Sequence, residues 1–220
     1  GVFIEIGAND GKTGSFTYNL ARYGWSGINI EPVTRIYNLC CENHKNHTNV
    51  KNLNIAIGSS RGEIEIVDAG TLSTIDKDVI DVYSKTPQFA SILKKNTKIQ
   101  KVKVDTLDNV LNENNISSID LLVLDVEGYE ENVLKCFSIE KFNPIIFIIE
   151  IGDQHPDFVN NPVMMNKYKL LREYFKTNNY TLLVNDVVDN VYIQNDVYKS
   201  IDINFINEIK KLVKFPQFVK

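Results

Sequence analysis

Three acids in this chain stand where buried strands run out. Glu31, Asp125 and Glu150 each follow a largely apolar run, at residues 27–30, 119–124 and 145–149. A carboxylate is unfavourable to desolvate unless it is solvated, paired or used. Ligands of open α/β sheets gather outside the carboxyl ends of the strands, where these acids lie. Glu31, closing the second strand, is placed to accept hydrogen bonds from both hydroxyls of a ribose. Asp125 and Glu150 close what should be adjacent strands and can converge on one point, with Glu127 beside them. Carboxylates so grouped suit a general base for an acceptor hydroxyl. They equally suit a hard ion such as Mg²⁺, with Asp125 and Glu150 as ligands. Glu127 has an alternative use near the N-terminus of the following helix, where negative charge is favourable. His155, after the fifth strand, is another candidate base because histidine titrates near neutral pH. Its competing reading is a loop histidine packed against Pro156.

The first apolar run, Val2-Phe3-Ile4-Glu5-Ile6, stops at Gly7-Ala8-Asn9-Asp10-Gly11. A strand, a glycine turn and a following helix together bring backbone N–H groups to a polar ligand. The turn is not G-x-G-x-x-G, because Asn9 occupies the position whose glycine lets backbone approach a pyrophosphate. Glu5 adds negative charge where a pyrophosphate would be repelled. A ligand carrying ammonium and sulfonium cations suits Glu5 better, which favours S-adenosylmethionine over a nicotinamide dinucleotide. Cys40, His44 and His47, at i, i+4 and i+7 of a predicted helix, outline half a metal site without a fourth ligand. Cys40 is expected to face the core instead.

Strand-like runs at 2–6, 27–31, 50–57, 63–67, 101–104, 119–125, 144–150, 180–184 and 191–194 must position these groups. Helical periodicity marks 34–45, 107–114, 130–137, 164–178 and 206–213, and Phe16, Leu20 and Tyr23 predict a helix directly after the glycine turn. Strands apolar on both faces and separated by helices imply a parallel sheet covered on both sides. The expectation is one three-layer α/β domain over residues 1–220. Residues 59–104 break the rhythm, with an irregular polar stretch at 71–97, and are expected to shape an acceptor pocket.

The chain has 220 residues, 43% of them hydrophobic, enough for one sizeable core. A net charge of −4 offers no attraction to nucleic acid. No apolar run approaches the length of about 18 residues that a membrane span needs. Three cysteines make no disulfide framework, so a reducing, cytoplasmic setting is expected. The chain starts directly on a strand, which leaves room for an upstream segment lost from the sequence.

Five blocks carry a family resemblance: Phe3-Ile4-Glu5-Ile6-Gly7-Ala8-Asn9-Asp10-Gly11, Glu31-Pro32, Ala56-Ile57-Gly58, Val104-Asp105-Thr106-Leu107-Asp108, and Asp120-Leu121-Leu122-Val123-Leu124-Asp125-Val126-Glu127-Gly128-Tyr129-Glu130. In their order and content the chain resembles the FkbM family of S-adenosylmethionine-dependent methyltransferases. The last block is the most specific, and no family block is matched after Glu150. The resemblance implies a class I methyltransferase, Rossmann-like fold, usually a mostly parallel seven-stranded sheet with its last strand antiparallel. It also implies that Glu5, Gly7, Asn9 and Gly11 surround the methionine part of the cofactor and Glu31 its ribose. Ala56 and Ile57 would border the adenine, and Asp125 and Glu127 would lie beside the transferred methyl. Many such enzymes carry an aspartate for the adenine amino group where this chain has Ile57-Gly58-Ser59, which leaves that task to backbone groups or Ser59. The expected activity is methyl transfer to a hydroxyl of a small molecule, by family analogy a sugar or glycan. The alternatives are a nicotinamide-dependent oxidoreductase and a non-catalytic module that has kept the fold for binding.

Overall fold

Strand and helix alternate through the first part of the chain as β1 (Val2–Ile6), α1 (Tyr18–Arg22), β2 (Ser26–Ile30), α2 (Thr34–Asn43) and β3 (Val50–Leu53). A second group follows: β4 (Ala56–Ile57), β5 (Gly62–Asp68), a 3-10 turn at Gly70–Leu72, α3 (Lys77–Lys85), α4 (Pro87–Asn96) and β6 (Lys98–Asp105). Alternation then resumes with α5 (Leu107–Glu113), β7 (Leu121–Leu124), α6 (Glu130–Lys135), α7 (Ile139–Phe142), β8 (Ile146–Glu150) and α8 (Pro162–Thr177). The chain closes with β9 (Tyr180–Asn185), β10 (Asp189–Gln194), α9 (Asn195–Ser200) and α10 (Ile203–Leu212). This computed structural model describes residues 1–212. The predicted helix at 206–213 begins earlier, at Ile203, and its residue Val213 lies outside the described residues.

Seven strands form one sheet in the order β3-β2-β1-β7-β8-β10-β9. β10 runs antiparallel to both of its neighbours, and the other pairings are parallel. Alternate residues of the central strands serve opposite faces, as the two-residue strand period requires. Ile4, Ile6, Ile28, Ile30, Leu122 and Leu124 join one core with Val110, Leu111, Val133, Leu134, Leu171 and Phe175 from α5, α6 and α8. Phe3, Leu121 and Val123 join another with Leu20 and Ala21 of α1. Each such side chain, fully buried, contributes roughly 1.5–3 kcal/mol. Gly27 sits opposite Phe3 in the β1–β2 register, and a Cβ there would meet the Phe3 ring at 2.4 Å, so this position must stay bare.

The run 50–57, predicted as one strand, is two. β3 forms the edge of the large sheet, whereas β4 pairs with β6 in a separate sheet of order β4-β6-β5. Between them Asn54 Nδ2 donates to the carbonyls of Glu31 and Pro32, 2.9 Å each, and this side-chain bond competes with continuation of the ladder. The helix after the glycine turn is also shorter than predicted, and Phe16 and Tyr23 are exposed. The start of this stretch serves hydrogen bonds instead, Ser15 and Thr17 both donating to Glu5.

Residues 59–104 are more regular than their sequence suggests. β5 and β6 form an antiparallel ladder from Gly62↔Val104 to Asp68↔Lys98, with α3 and α4 in the connection between them. Arg35 of α2 forks onto Asp68 at the end of β5 (Nε 3.0 Å and Nη2 2.7 Å), which ties this insert to the main body. Among the described residues, no helix is long and apolar enough to cross a membrane.

Candidate active site

A cleft of about 280 Å³ opens at the carboxyl ends of β1, β2 and β7 and is walled on its far side by the insert. Its floor is the glycine turn. Gly7 has φ +83°, and a Cβ on it would lie 1.6 Å from the Asp125 carbonyl oxygen. The two chains are that close because β1 and β7 pair up to Ile6↔Leu124 and the Asp125 N–H still donates to the Ile6 carbonyl, 3.0 Å. The N–H groups of Gly7 and Ala8 both donate to the Ile30 carbonyl at 3.0 Å, fixing the turn against the end of β2.

Glu31 faces this cleft directly after β2. It accepts from the Asn9 N–H at 3.0 Å and the Val33 N–H at 2.8 Å. Burial pushes its carboxyl up to about 7, with those two N–H groups pulling the other way. Each oxygen keeps a further lone pair for a hydroxyl. Glu5 also lines the cleft and is raised by burial. It accepts from Ser15 Oγ at 2.9 Å, from the Phe16 N–H at 3.3 Å and from the Thr17 hydroxyl. Its charge therefore organises residues 15–17 as well as facing the cleft. Ala8, Asn9, Ala56 and Ile57 line the cleft too, and the insert adds Ile66, Gly70, Ser73, Thr74 and Ile75.

Past the turn, one carboxyl oxygen each from Asp125, Glu127 and Glu150 lie within 4.8 Å of one another. Among the described residues, this is the group whose spacing suits a metal ion. The Asp125 side chain opens into the cleft yet is crowded by protein, which raises its affinity for a proton. Glu150 does not itself line the cleft but stands behind Asp125, and burial with the charges of Glu127 and Asp125 pushes it well up. Burial and Asp125 do the same to Glu127, which has φ +53° and accepts from Tyr83 Oη of α3 at 2.7 Å. Carboxyls crowded in this way share protons rather than ionise together.

The placement of the remaining candidates is mixed. Glu127 does not cap the following helix. Glu130 satisfies the turn instead, accepting from the N–H groups of Val126 at 3.0 Å and Gly128 at 3.1 Å. Gly11 does not line the cleft but packs beneath it, where a Cβ would meet Cys40 Sγ at 2.6 Å. His155 also lies off the cleft lining, where its ring sits tilted against Phe158, centroids 4.9 Å apart, and its Nδ1 accepts from the Asp157 N–H at 3.2 Å. Ser59 is exposed and outside the lining. Cys40 is buried as expected, and both nitrogens of His44 are engaged, which leaves that ring no lone pair for a metal. Tyr83, Glu130 and Asp189 escaped the sequence reading. Asp189 opposes Glu150 across the β8–β10 ladder and is raised to about 6 by burial and by Asp125. An acid opening a strand gives a weak signal, and Tyr83 gives none, because its partner is distant in sequence.

Sheet order and the single reversed strand place the domain among Rossmann-like methyltransferase folds. A model of the methyltransferase FkbM domain matches residues 5–182. The chain belongs to the FkbM methyltransferase family. The solved structure of methyltransferase FkbM from Methylobacillus flagellatus superposes with a TM-score of 0.51 at 11% identity, over 87% of this chain and 42% of that one. This chain thus spans less than half of that protein's length, and at such identity the likeness is one of fold. The fibrillarin pre-rRNA processing protein of Methanococcus jannaschii gives a TM-score of 0.44 at 13% identity, over 88% of this chain and 66% of that one. No curated protein matches the chain. Family membership favours the transferase reading over the oxidoreductase one.

Proposed function

We propose that the chain is an S-adenosylmethionine-dependent O-methyltransferase whose acceptor is a hydroxyl of a small molecule, a sugar or glycan by family analogy. The observation that carries this reading is one continuous cleft, from Glu31 through the glycine turn to Asp125 and Glu127. Its residues fit the methyl donor. Glu31 offers free lone pairs to ribose hydroxyls, the bare Gly7 gives backbone access, and Glu5 and Asp125 suit cationic groups. Bound S-adenosylmethionine would supply an electrophilic methyl group on a sulfonium.

The chain's own part is to hold the acceptor hydroxyl in line and to take its proton. Asp125 and Glu150 are suited to the second task because crowding raises them toward neutrality, where a carboxylate is a stronger base. The same cluster, with Glu127, is a set of hard oxygen donors for Mg²⁺, which would acidify the hydroxyl directly.

The test is transfer of label from methyl-labelled S-adenosylmethionine to a panel of mono- and oligosaccharides, with and without a chelator. Alkali-stable label on a hydroxyl is expected, and Asp125→Asn or Glu150→Gln should lower the rate by roughly 10²–10⁴. Loss of activity with chelator, restored by Mg²⁺, would assign the cluster to a metal. Label appearing only on nitrogen or a carboxylate would contradict O-methylation, and donor binding without transfer to any acceptor would support the non-catalytic reading.

A further inference from the structure

The glycine turn is held from below by the end of α2, through residues that touch neither cleft nor acceptor. Asn43 Nδ2 donates to the Asp10 carbonyl at 2.8 Å, and His44 Nε2 lies 2.6 Å from the Gly11 carbonyl. A carbonyl only accepts, so Nε2 carries a proton, and in the neutral ring that burial favours Nδ1 is bare. That bare Nδ1 faces His47 Nδ1 at 3.0 Å, which requires the proton between them to sit on His47. The two imidazoles thus form a directed chain, His47 to His44 to Gly11. Tyr18 sets its ring edgewise against both, with centroids 5.4 Å away, and Lys12 lies over Tyr18. The pair is sterically matched as well, since a Cβ on Gly11 would lie 2.8 Å from His44 Cδ2.

We propose that His44, locked in one tautomer by His47, is a positioning residue that sets the geometry of the donor-binding turn. The proposal rests on the reading of the cleft as a donor site. Its logic is short. The Gly11 N–H closes on the Ala8 carbonyl at 2.8 Å, and the next residue, Asn9, gives its N–H to Glu31. Release of the Gly11 carbonyl would loosen this closed turn and, with it, the orientation of Glu31 toward the ribose. Burial and the neighbouring His47 hold His44 toward its neutral form, which agrees with the bare Nδ1.

Hydrogen exchange of residues 8–13, the nitrogen-15 shifts of the His44 ring and titration with S-adenosylhomocysteine test this together. In the unaltered protein, His44 should show a protonated Nε2 and a bare Nδ1. His44→Phe should speed exchange in 8–13 and weaken S-adenosylhomocysteine by about tenfold each, the loss of one buried hydrogen bond. His44→Gln, whose Nε2 can donate to the same carbonyl, should restore both to within about threefold. A proton on Nδ1 of His44, or unchanged exchange in folded His44→Phe, would overturn the proposal, as would His44→Gln behaving like His44→Phe. Failure of the unaltered protein to bind S-adenosylhomocysteine would contradict the donor reading, while the ring shifts and exchange still decide the role of His44.

Discussion

Gly7→Ala is expected to destabilise the protein by about 2–5 kcal/mol and to abolish binding in the cleft. Two separate penalties add. The left-handed conformation at φ +83° costs an L-residue about 1–2 kcal/mol. Overpacking adds about 1–3 kcal/mol, and here the clash is with backbone, 1.6 Å from the Asp125 carbonyl oxygen. That carbonyl cannot move alone, because the Asp125 N–H is bonded to Ile6 and its side chain belongs to the carboxylate cluster. Urea unfolding measures the effect. A loss of unfolding free energy below about 1 kcal/mol, with binding intact, would show that the β1 and β7 ends are not packed as described.

The second large effect is on pH dependence. Glu31 is raised to about 7 by burial, from an ordinary 4.5. The folded protein therefore holds this proton more tightly than the unfolded chain, so this group's contribution to stability falls as pH rises through that window. Binding has the opposite sign, because a carboxylate accepting two ribose hydroxyls must be ionised. Affinity for S-adenosylhomocysteine should rise about tenfold from pH 6 to pH 8, following the ionised fraction of one group with a pKa near 7. Glu31→Gln should bind more weakly and lose that slope. A slope of the same size in Glu31→Gln would assign the titration to another group.

What the sequence made legible follows the range of the forces involved. Runs such as Phe3–Ile6 and Leu121–Leu124 announce buried parallel strands because their periodicity is local, and their acids at the strand ends mark the cleft. The break at Asn54 was hidden, since bonds to Glu31 and Pro32 decide it and no local signal records them. The insert was hidden for the same reason. Val79 of α3 seats on Gly128, where a Cβ would come within 2.4 Å of it, and Tyr83 reaches Glu127 from the same helix. Glu127 and Glu130 show the limit most clearly. Both acids stand near the start of α6, and only the left-handed backbone at Glu127 sends one to the cluster and leaves the turn to the other.

The proposed methyl transfer requires this cleft to take a sulfonium methyl donor across Glu31 and the glycine turn. Calorimetric titration of the protein at pH 8 with S-adenosylmethionine and with S-adenosylhomocysteine tests it most directly. One-to-one binding of both, tighter than about 1 mM and weakened by Glu31→Gln, is the predicted result. A folded protein that binds neither ligand below about 1 mM, or binds both with Glu31→Gln unaffected, would contradict the account.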